Sequence, residues 1–137
     1  MSEVKLSHAS AMKAGSYILI DGVACIVRDT QTSKPGKHGH AKIRIKAVDI
    51  IGGGTKEIVK PGHDNVEIPI IYKKTGQILS VSGDSVELMD MESYETVTAS
   101  LKIAEDDVRD KIKAGQTVMF WLVTGKVLIK QITQESQ

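Results

Sequence analysis

Lys37 is the residue of this chain best placed to do chemistry. It lies in the stretch Thr32-Ser33-Lys34-Pro35-Gly36-Lys37-His38-Gly39-His40-Ala41-Lys42. Lys34-Pro35-Gly36-Lys37 has the composition of a four-residue turn, with Pro35 presetting the second position and Gly36 supplying the positive φ of the third. Lys34, preceding a proline, is pushed toward extended backbone, and Gly39 adds a second permissive point. An exposed lysine is protonated at neutral pH, so an unmodified Lys37 is neither base nor nucleophile. What it offers is a cation held out on an arm.

Other chemistries fail on residue type. A phosphate loop needs Ser or Thr after its Gly-Lys and a glycine upstream, where this chain has His38 and Gln31. His38 and His40 stand two apart, but no nearby Cys or His completes a ligand set. Ser33 has no identifiable base and orienter. Asp106 and Asp107 suit the first turn of a helix without acid-base work. His38 and His40 keep two readings, ordering the loop or contacting RNA by stacking and hydrogen bonding.

The elements that must carry this loop are strands. Val4 and Leu6, Ile18 and Ile20, Val23, Cys25 and Val27, and Ile43 and Ile45 recur at a spacing of two. Apolar runs at residues 23–27 and 43–48 flank the loop, so a hairpin with a long tip is expected. In Lys42-Ile43-Arg44-Ile45-Lys46, isoleucines facing a core put all three cations on the solvent face. With Lys34 and Lys37 they form a basic cluster whose outward strand face suits phosphate contacts, against the plainer reading of a solvated face. Residues 11–15 allow one helical turn ending at Gly15, and Gly52-Gly53-Gly54 reads as a hairpin connection.

A boundary is expected near Ile70, with residues 66–71 crossing between a domain at 1–70 and one at 71–137. The second half reads as five strands, at 72–81, 86–91, 94–98, 117–123 and 127–132. A helix over 103–113 separates the third from the fourth, with Ala104, Val108 and Ile112 at spacing four. That is the order of an OB-fold barrel, while the first half suits a small, strongly bent SH3-like barrel, making the chain mostly β. Trp121, Phe120 and Tyr94 could form a stacking platform, although Phe120 shares a face with Val118 and Leu122 and reads better as core.

Composition bounds the rest. The chain has 137 residues, 41% hydrophobic, and a net charge of +1. Residues 1–70 carry ten Lys/Arg against seven Asp/Glu, and residues 71–137 eight against ten. This imbalance alone would not predict nucleic-acid binding, so the local cluster around Lys37 carries that argument. Cys25 is the only cysteine, which excludes an internal disulfide, and its apolar neighbours make it a buried strand residue. No apolar run approaches the about 20 residues of a membrane helix and no leader pattern opens the chain, so no membrane partner and a cytoplasmic location are expected.

Ser33-Lys34-Pro35-Gly36-Lys37-His38-Gly39 closely resembles the modification loop of the translation initiation factor 5A family, homologous to bacterial elongation factor P. The resemblance extends to Asp21-Gly22-Val23-Ala24-Cys25, Val66-Glu67-Ile68-Pro69 and Met89-Asp90-Met91-Glu92-Ser93-Tyr94-Glu95-Thr96, and Pro35 points to the archaeal branch. It implies the two-barrel fold and a hypusine or deoxyhypusine at Lys37, made by deoxyhypusine synthase from spermidine. Ser33, Lys34, Pro35, Gly36, His38, Gly39 and His40 would form the modification loop, within residues 32–42. The chain would need no cofactor of its own and would not be an enzyme. It would bind the ribosome near the P and E sites, reach the acceptor end of peptidyl-tRNA, and promote peptide bonds on stalled substrates such as polyproline. Independently of the resemblance, the adjacency of Lys34, Lys42, Arg44 and Lys46 to the loop makes them the expected RNA contacts. A general single-stranded RNA-binding OB module with an unmodified basic loop stays open as the alternative.

Overall fold

A computed structural model describes residues 4–33 and 41–136. The chain forms two compact units, Met1–Ile70 and Ile71–Gln137. Among the described residues both are almost wholly β, an SH3-like barrel and an OB-fold.

In the first unit, β1 (Val4–His8), β2 (Tyr17–Ile20), β3 (Val23–Ser33), β4 (Lys42–Asp49), β5 (Thr55–Pro61) and β6 (Asn65–Pro69) form one antiparallel sheet in the order β1-β6-β2-β3-β4-β5. The spacing-of-two pattern becomes its core, with Ile18, Ile20, Cys25, Val27, Ile43, Ile45 and Ala47 all buried. Asp21 and Gly22 both take positive φ, 53° and 79°, the two-residue turn whose twist matches the β2–β3 hairpin. Burial raises the Cys25 thiol's pKa, assisted by nearby Asp49, which keeps it protonated.

Two stretches fold differently from what their local sequence suggests. Residues 66–69 belong to β6, which pairs with both β1 and β2, so this stretch is an interior strand of the sheet and not a crossing segment. In place of a helical turn at residues 11–15, a 3-10 turn occupies Ala9–Ala11 and Gly15 follows with φ 94°.

In the second unit, β7 (Tyr72–Ser82), β8 (Ser85–Asp90), β9 (Thr96–Ser100), β10 (Thr117–Val123) and β11 (Lys126–Gln134) form the sheet β11-β10-β7-β8-β9. Strand β9 comes back alongside β11, wrapping the sheet into a barrel around Ile78, Leu88, Val118, Phe120 and Ile129.

The expected helix is much shorter than residues 103–113. A 3-10 turn at Leu101–Ile103 leads to a single α turn, α1 (Asp106–Arg109). Ala104, Val108 and Ile112 are nevertheless buried against the core. Gln116 competes with a helix reaching residue 113: its wholly buried side-chain amide accepts at 2.7 Å from Lys113 N, the donor such a helix would direct to Arg109 O, and donates to Lys111 O at 2.9 Å and Glu135 Oε1 at 2.9 Å. Gly115 N bonds Ile78 O, which ties the chain after this turn to β7. Arg109 ties the preceding turn together, donating to Leu101 O at 2.8 Å and Ala104 O at 2.9 Å.

Asp90 organises the β8–β9 connection. Its Oδ1 accepts from Glu92 N at 2.8 Å and Ser93 N at 3.3 Å, and its Oδ2 accepts from Lys74 Nζ at 2.8 Å. The bond to Lys74 holds the carboxyl below its usual range, against the opposing effect of burial, and the same bond raises the Lys74 ammonium. A lowered carboxyl pKa stabilises the fold above the unfolded value and loses that contribution as pH falls through the folded one. Tryptophan fluorescence, which reports this unit through Trp121 alone, should therefore show the melting temperature falling as pH drops through and below the ordinary carboxyl value of 3.8. Asp90→Asn should lower stability at neutral pH and flatten that acid limb; an equally steep limb would assign the acid sensitivity elsewhere.

Candidate functional site

The candidate site is the β3–β4 hairpin. Its ladder runs Asp29↔Lys46, Thr30↔Ile45, Gln31↔Arg44, Thr32↔Ile43 and Ser33↔Lys42, so residues 34–41 connect its two arms. Lys34, Pro35, Gly36, Lys37, His38, Gly39 and His40, with the turn read at Lys34–Lys37, lie outside the described residues. Ser33 and Lys42, which frame them, are both exposed.

Strand β4 alternates as its sequence requires. Ile43 and Ile45 are buried while Lys42, Arg44 and Lys46 are exposed on the opposite face. Register brings the three cations to one surface, and the edge strand β5 completes it through Lys42↔Pro61, Arg44↔Val59 and Lys46↔Glu57. Between the strands, Gln31, Thr32, Ser33, Lys42, Arg44 and Val59 line an open groove of about 210 Å³.

The local sequence does not disclose that the flanking strands carry acids to this face. Arg44 Nε lies 3.2 Å from Glu57 Oε1. On the other side Asp29 stands directly opposite Lys46. A bulge at Arg28 is the cause, because the register shifts between Val27 and Asp29. Strict alternation would turn Asp29 to the same side as buried Cys25 and Val27, and the extra residue turns it to the solvent side instead. No signal within the basic stretch itself could have found Glu57, whose place depends on strand pairing.

The second unit gives less to the stacking reading. Phe120 is fully buried in the core. Tyr94 is exposed in the β8–β9 turn with φ 63°. The ammonium groups of Lys130 and Lys73 lie 4.3 and 4.9 Å from the Trp121 ring centroid, and Lys130 is also ion-paired with Glu105. A base stacking on the ring would have to compete with these cations. Among the described residues, no group of three His, Cys, Asp or Glu could hold a metal ion, and no helix is long and apolar enough to cross a membrane.

Comparison with known proteins adds independent information. Residues 2–64 match the translation initiation factor 5A-like N-terminal family. Over 129 residues the chain is 43% identical to translation initiation factor 5A of Thermococcus gammatolerans and 45% identical to that of Thermococcus kodakarensis, covering 93% of this chain and 95% of each relative. The solved structure of a eukaryotic translation initiation factor 5A from Methanococcus jannaschii superimposes with a TM-score of 0.82 at 35% identity, covering 94% of both chains.

Proposed function

This chain belongs to the translation initiation factor 5A family and is a translation factor, and on that premise we propose that Lys37, as hypusine or deoxyhypusine, is the group through which it acts on the ribosome. The observation that carries the reading is the hairpin register, in which Ser33↔Lys42 is the described pair next to the segment containing Lys37 and exposed cations follow on β4. Deoxyhypusine synthase is the partner that lengthens the lysine with a spermidine-derived aminobutyl group. The chain itself brings no cofactor and makes no bond.

The modified arm carries a second amine, and a hydroxyl where hydroxylation follows. Such an arm suits the phosphates and sugar hydroxyls of RNA in a cleft too narrow for a protein barrel. In the cytoplasm, bound near the P and E sites, it would reach the acceptor end of peptidyl-tRNA and hold a poorly reactive substrate, such as one ending in prolines. Better positioning lowers the entropy lost on reaching the reactive geometry, and the ribosome performs the chemistry. Ser33, Lys34, Pro35, Gly36, His38, Gly39 and His40 serve as the modification loop, with Lys34, Lys42, Arg44 and Lys46 as candidate RNA contacts.

Intact-mass analysis of the protein from its own source cells is the direct test. The expected result is a mass raised by one aminobutyl group, with or without one oxygen, located at Lys37 by peptide fragmentation. An unmodified Lys37 during normal growth would refute the reading.

A further inference from the structure

We propose that Glu57 is a specificity-determining residue that ranks the candidate RNA contacts of the β3–β4 hairpin, favouring anion contact at Lys42 over Arg44 and Lys46. The inference rests on the RNA-facing reading of this hairpin and assigns a role to a residue of β5 outside the basic stretch.

The outward face carries three cations at every second position of β4, an arrangement that by itself would suit any polyanion. Its neighbours break the uniformity. Lys46 has an acid directly opposite on either side, Asp29 and Glu57. Arg44 has uncharged Gln31 and Val59 opposite, but Glu57 reaches it diagonally at a distance of 3.2 Å. Lys42 faces Ser33 and Pro61, neither of them acidic. Among the described residues, acids thus stand beside the two inner cations, ion-paired at Arg44, and none stands opposite Lys42, the cation nearest the residues that contain Lys37.

Arg44 and Glu57 keep 58% and 46% of their side-chain surface exposed, so their pair contributes little to stability. Its consequence is for binding. A guanidinium whose Nε is held by a carboxylate has its charge partly neutralised and takes a phosphate less readily, whereas no acid stands opposite Lys42 among the described residues. Nonspecific RNA would otherwise meet a continuous strip of charge, and the factor would be drawn away from the one place where its arm is useful.

The salt dependence of binding to a single-stranded oligouridylate tests this, using the full chain, Glu57→Gln, Arg44→Gln and the double variant. Each further phosphate neutralised steepens the slope of log affinity against log salt by about 0.7 for a single strand. Glu57→Gln should let Arg44 neutralise one more, so that affinity falls by about two- to threefold more than in the natural chain between about 50 and 200 mM salt. Adding Arg44→Gln should remove that increment. An unchanged slope in Glu57→Gln, or a steepening that persists without Arg44, would overturn the proposal. Because the readout does not involve modified Lys37, its failure is separate from failure of the stalling role, which is tested by substitution at Lys37.

Discussion

Replacing Lys37 with arginine should leave the protein folded and reduce relief of polyproline stalling to the level seen without the factor. The substitution separates charge from chemistry. Arginine keeps a positive charge and a comparable reach, so an element that needs only a basic tip would keep working. It lacks the primary amine to which an aminobutyl group is transferred, so a mechanism that needs the longer arm loses its acting group. Folding should survive because the ladder framing this segment is built by Ser33 and Lys42, and the core beneath it by Ile43 and Ile45. Translation of a reporter containing consecutive prolines, in cells or extract depleted of the natural factor, is the measurement. Full activity of Lys37→Arg would refute the mechanism. A general RNA-binding module predicts instead strongly salt-dependent binding to free RNA that survives the substitution.

The parts of this molecule that were legible in its sequence are those fixed by neighbouring residues. Ile43 and Ile45 are buried and Lys42, Arg44 and Lys46 exposed because β4 runs without irregularity, so alternation alone assigns each face. What depends on contacts distant in sequence was not legible. Val27-Arg28-Asp29 gives no sign of the bulge that turns Asp29 outward, and Glu57 joins the basic face only through the β4–β5 register. The spacing of Ala104, Val108 and Ile112 is helical and all three are buried, yet Gln116 takes the Lys113 N–H that a longer helix would need. Local periodicity identified the side chains that face the core, and a distant polar residue decided the backbone path between them. The same limit bears on function. The charge of the hairpin face is a property of three paired strands, and counting lysines along one of them overstates it.

Phe120→Ala should be the most damaging single substitution in the second unit, and Gly76 explains why this core cannot close over the loss without consequence. Phe120 has no exposed surface, and truncation of such a residue costs about 3–5 kcal/mol. A unit of this size is stable by only about 3–10 kcal/mol, so the variant should lie near or past its unfolding midpoint. Gly76, on β7, sits where a Cβ would lie 2.8 Å from Phe120 Cε1, 2.7 Å from Leu88 Cδ1 and 3.1 Å from Met89 O. The ring and the bare backbone are therefore complementary: β7 can pass this close only because it carries no side chain at Gly76, and the ring fills the space so left. Gly76→Ala should cost about 1–3 kcal/mol by overpacking. In a Phe120→Leu background, which costs roughly 1–2 kcal/mol and leaves the unit folded, the clash with the ring edge is relieved and the added methyl should cost less. Urea unfolding followed by Trp121 fluorescence measures both, and the expected result is a destabilisation by the double variant clearly smaller than the sum of the two singles. Strict additivity would show that the obstruction at Gly76 comes from Leu88 and the Met89 carbonyl, with the ring only a bystander.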